Sequence, residues 1–104
     1  MRWLKDYAGD RLRVTDERVA HVETEHPEMR GQLRAIRDTL REPLCVVRSR
    51  TDSAVALYYR RYEESPVGDK FLCVVTRTGR SDRFIVTAFF TDTIKKGDRL
   101  WPRK

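Results

Sequence analysis

The sequence predicts an α+β domain: two N-terminal helices packed on one face of a four-stranded antiparallel meander sheet. Three observations predict it. Before Pro43 the apolar residues recur at helical spacing. After Pro43 the period drops to two over four successive runs. The separators between those runs are short and rich in turn formers, which implies consecutive hairpins.

The helices come first. Thr15 reads as an N-cap, and Asp16 and Glu17 place negative charge at the positive end of the helix dipole. Val19 and Val22 give this helix an apolar stripe, with His26 on the same stripe, and Pro27 ends it. A second helix is expected from Pro27 to Arg41, because Met29, Leu33, Ile36 and Leu40 share one face. Residues 1–10 read as an arm, and Arg11–Val14 alternates like a short edge strand.

The strands follow as Leu44–Ser49, Ala54–Tyr62, Lys70–Arg77 and Arg83–Phe90. On the second, Val55, Leu57, Tyr59 and Arg61 are expected under the helices, which would leave Tyr58, Arg60 and Tyr62 on an open face. On the last, Ile85, Thr87 and Phe89 should alternate with Phe84, Val86, Ala88 and Phe90. Residues 91–104 form a basic tail that holds Lys95, Lys96, Arg99, Arg103 and Lys104, with a turn and a docked aromatic.

At 104 residues one domain with a modest core is expected. The net charge of +6 favours polyanionic partners: nucleic acid, an anionic membrane or an acidic protein. No apolar run reaches the roughly 20 residues of a membrane span. The first residues lack a signal-peptide stretch, so a cytoplasmic setting is expected. Cys45 and Cys73 lie in apolar runs without CxxC spacing and read as buried thiols.

The chemistry centres on the only two histidines, His21 and His26. Five residues apart, they diverge by about 140° on a helix, and no metal site is expected from them. His26 also reads as an ordinary helix-end residue, and His21 as solvent-facing. The segment LYYRRY makes a basic–aromatic strand in which Arg60 and Arg61 suit phosphate and the tyrosines suit bases. Its plain alternative is a tyrosine-rich strand with solvated arginines. Thr87 is the one polar residue of Phe84–Phe90. No nucleotide-binding or serine-hydrolase motif occurs, and no cofactor is expected.

Three stretches, RVTDERVAHVETEHPEM, LYYRRYEESPVGDKFLCVV and FIVTAFFTDTIKKGDRLW, resemble the small phage and bacterial branch of the BECR nuclease superfamily (barnase, EndoU, colicin and RelE-like). The resemblance runs from about Arg13 to Trp101. It implies a toxin-type, metal-independent endoribonuclease in which the ribose 2′-OH attacks the adjacent phosphate. It further implies His26 as base or acid, Arg60 and Lys70 on the phosphate, Tyr59 or Tyr62 assisting, Thr87 bonding a phosphate oxygen and His21 as a second proton carrier. Arg61, Lys95 and Lys96 would bind substrate, and the partners would be RNA and an acidic antitoxin or immunity protein. The alternative is a non-catalytic module that binds RNA or an acidic protein through the same fold.

Overall fold

The computed structural model describes residues 1–103 and corrects the expected sheet: one seven-stranded mixed sheet replaces the four-stranded antiparallel meander. The strands are β1 (Arg2–Lys5), β2 (Arg11–Val14), β3 (Cys45–Arg48), β4 (Val55–Ser65), β5 (Gly68–Thr78), β6 (Arg83–Thr91) and β7 (Asp98–Trp101). Their order is β1-β2-β6-β5-β4-β3-β7, and all neighbours are antiparallel except β2 and β6. Both chain ends therefore build strands. The expected arm pairs with β2, its turn tied by the Asp6 carboxylate, which accepts from the N–H groups of Ala8 and Asp10 at 2.9 Å. Part of the expected tail, β7, pairs with β3.

The helices are α1 (Asp16–Glu25) and α2 (Leu33–Arg41). Thr15 caps α1 by accepting from the Arg18 N–H at 3.1 Å. His26 is its C-cap, and Pro27 follows in a 3-10 turn, Pro27–Met29. The expected continuous helix from Pro27 to Arg41 is thus broken. Gly31, with φ +73°, turns the chain between the 3-10 turn and α2 in a region that favours glycine. β2 reaches only the first part of β6, pairing Leu12 with Arg83 and Arg13 with Phe84. Beyond that point α1 and the 3-10 turn lie against β6, while α2 packs on β5, β4 and β1.

The inner core, under the helices, joins Leu12, Val14, Val22, Met29, Ile36 and Leu40 to Val46, Tyr58, Leu72, Val74, Ile85 and Ala88. This reverses the expected orientation of β4: Ala56, Tyr58 and Tyr62 face inward, and Val55, Leu57 and Tyr59 face outward. Hydrogen bonding makes the inward tyrosines tolerable. The Tyr58 hydroxyl donates to Asp6 Oδ2 at 2.7 Å, and that of Tyr62 donates to the Ala35 carbonyl at 3.1 Å. The outer face is covered in part. Cys45, Val47, Leu57, Tyr59 and Cys73 form a second buried cluster, with Ile94 from the β6–β7 loop packed against it.

A bulge changes β6 too. Val75 pairs with Thr87 and Thr76 with Ile85, so Val86 is the extra residue. Ile85 therefore faces the helices with Ala88, whereas Thr87 and Phe89 stay outside, which corrects the simple alternation. Among the described residues no helix is long and apolar enough to cross a membrane.

Candidate nucleic-acid interface

The sheet separates the expected site residues. Arg60 pairs with Leu72 on the inner face and donates from Nη1 to the Glu42 carbonyl at 2.6 Å, at the end of α2. Tyr62 and Lys70 are register partners on that same face. Tyr62 is spent on Ala35, and Lys70 forms an ion pair with Asp92. Thr87 and Tyr59 belong to the outer face. Arg60 and Thr87 therefore do not meet around one phosphate. Arg61 is outward, but Asp69 engages it through two bonds, of 3.0 and 2.7 Å. His21 is exposed, 3.3 Å from Glu25.

Four of the expected residues do gather about the outer face. A cavity of about 520 Å³ has a floor that includes Val55, Leu57, Val75 and Phe89, with Tyr59 and Lys95 also lining it. His26 borders it indirectly, since its ring lies 5.5 Å from that of Phe89, and its side chain is 34% exposed. Thr87, between Val86 and Ala88 on the same strand as Phe89, has a buried hydroxyl with no partner among the described residues. Lys96 is exposed on the β6–β7 loop.

Proton transfer by the phenols and thiols here is disfavoured. Burial pushes the Tyr59 hydroxyl up to about 12, against a smaller opposing effect of the Lys95 N–H that donates to it at 3.0 Å. Burial likewise pushes the Cys73 thiol up to about 12 and raises that of Cys45. All three stay protonated near neutrality. The two cysteines are free. Among the described residues no three His, Cys, Asp or Glu side chains gather where they could share a metal ion.

A different constellation stands on the helix side. Arg2, Leu4, Leu33, Arg34 and Arg37 line a groove of about 500 Å³ between β1 and α2. Alternation on β1 points Leu4, and Arg2 with it, toward the inner core, while helical spacing sets Arg34 and Arg37 on one side of α2. Arg41 continues that row at i+4 from Arg37. No acid lines the groove. Arg37 approaches its chain neighbour Asp38 at 3.5 Å, and among the described residues Arg2 and Arg34 have no ion pair.

Three guanidinium groups around one open groove suit planar, bidentate binding of phosphate. Sequence reasoning passed over them because it read the second helix for its apolar face alone. The spacing of Arg30, Arg34, Arg37 and Arg41, complementary to Leu33, Ile36 and Leu40, was the available signal. The convergence of Arg2 depends on β1 pairing with β2, which local patterning does not show.

Asp6 is a further buried acid, but its oxygens are committed to Ala8, Asp10 and Tyr58, with Arg83 at 3.9 Å. Those bonds make it a joint between the first turn and the sheet. No family model matches the chain, and no curated protein or solved structure matches it either.

Proposed function

We propose that this domain binds RNA without cutting it, holding backbone phosphates in the groove of Arg2, Arg34 and Arg37. The observation that carries this reading is the convergence of three arginines, two of them without an ion pair among the described residues, on one groove with no acid in its lining. The net charge of +6 adds long-range attraction for a polyanion. A reducing cytoplasmic setting belongs to the proposal and fits the two buried free thiols. An acidic protein partner would meet the same guanidinium groups and compete with RNA for them.

Binding through phosphates has a defined salt dependence. Each phosphate neutralised on a single strand adds about 0.7 to the slope of log affinity against log salt. Replacing Arg34 and Arg37 together by alanine should flatten that slope by about 1.4 if each holds one phosphate. An unchanged slope would reject the groove as the binding site.

A cleaving reading keeps one observation in its favour: His26 is about one-third exposed beside Phe89, which lines the outer cavity. That reading is the one implied by the resemblance to BECR nucleases. Incubation of a total RNA pool with the protein in EDTA and in Mg²⁺ separates the two. RNA left intact supports binding alone. Cleavage by the native chain that is lost in His26→Ala would replace our reading with the nuclease.

A further inference from the structure

Arg2 and Trp3 are consecutive residues of an edge strand, so their side chains leave opposite faces of the sheet. Arg2 enters the arginine groove. Trp3 pairs with Arg13 on the other side and is 42% exposed. The Arg11 guanidinium lies 4.5 Å from the centre of the Trp3 ring, and Lys5 is its register partner. The outer side of this edge thus carries a planar indole–guanidinium platform among Lys5, Arg11 and Arg13. Arg13 is held by Asp82 at 2.7 Å and lies 5.6 Å from the Phe84 ring, which anchors the platform to β6.

From this juxtaposition we propose that the β1 edge selects single-stranded over duplex RNA, stacking one unpaired base on Trp3 and Arg11 while the adjoining phosphates lie in the groove. The inference rests on the RNA-binding reading above. Its physical ground is the combination that sequence-tolerant single-strand binding uses, a cationic track beside an exposed aromatic ring. A strand whose bases are free can bend over one β-strand edge and offer a π-face to the indole. A duplex keeps its bases paired and stacked, and offers the platform only sugar and phosphate. Serving the groove and the platform from one ligand therefore requires an unpaired nucleotide.

Fluorescence tests this on the full chain carrying Trp101→Phe, which leaves Trp3 as the sole indole. The probes are a uridine oligonucleotide and an RNA duplex of equal length. The single strand should quench Trp3 and bind more tightly than the duplex. Trp3→Leu should weaken the single strand about tenfold while leaving duplex affinity and the single-strand salt slope unchanged. Trp3→Phe, which keeps a ring on the strand, should recover most of the loss.

Equal losses for both probes, or no loss for either, would overturn the proposal. If the arginine variant flattens the salt slope but Trp3→Leu changes nothing, the stacking inference alone fails. If neither probe binds, the RNA reading fails with it.

Discussion

Thr87 carries a buried hydroxyl without a partner among the described residues, on the outer face beside Phe89. An unmade hydrogen bond in such a place costs about 1–3 kcal/mol, and valine has nearly the same shape without the hydroxyl. Thr87→Val should therefore stabilise the protein by about 1 kcal/mol, or several degrees in Tm for a chain of this size. Thermal unfolding followed by circular dichroism checks this; a lower Tm would mean that the hydroxyl contributes to the native state. Thr87 was legible from sequence as a singular polar residue, but its face was not readable as simple alternation. The bulge at Val86 turns Ile85 inward while Thr87 stays outward. Arg60 shows the same limit. Its strand is apolar on both sides, so counting apolar residues could not decide which set lies under the helices.

β7 is four residues long and depends on close approach to β3. At Gly97, immediately before it, an added Cβ would collide with the Arg48 carbonyl oxygen, a backbone atom unable to swing aside. Gly97→Ala should cost about 1–3 kcal/mol by overpacking and should loosen β7 from β3. Denaturant titration measures the cost, and amide exchange of Arg99 and Trp101, both paired to β3, locates it. Unchanged exchange there with unchanged stability would contradict the close contact. At this scale the sequence was informative where patterns were long. The Thr15 cap, the end of α1 at Pro27 and the strand character of β3 to β6 were readable. β1 and β7 were not, since RWLK and DRLW each hold only two adjacent apolar residues beside charged ones, with no alternation to stand out. The break at Gly31 was masked by a run of apolar residues that keeps helical spacing across it.

The whole molecule is a sheet with helices on its inner face and the β6–β7 loop over part of its outer face, and among the described residues its ion pairs leave specific cations free. That arrangement moved the candidate site. The basic–aromatic strand expected to face a ligand instead splits Arg60 and Tyr62 from Tyr59 and Arg61, and its charges are tied to Glu42 and Asp69. Arg2, Arg34 and Arg37 collect where β1 meets α2, and an exposed tryptophan stands on the other side of the same strand. Placing an N-terminal residue beside a helix thirty residues later is a property of the sheet order, beyond the reach of local periodicity. The charge excess did point to a polyanion, though to no surface. The direct test is RNA affinity measured over a series of salt concentrations for the native chain and for the Arg34→Ala, Arg37→Ala double variant. Phosphate binding in the groove predicts linear log–log loss of affinity with salt and a slope about 1.4 shallower in the variant. Identical slopes for the two proteins would contradict it.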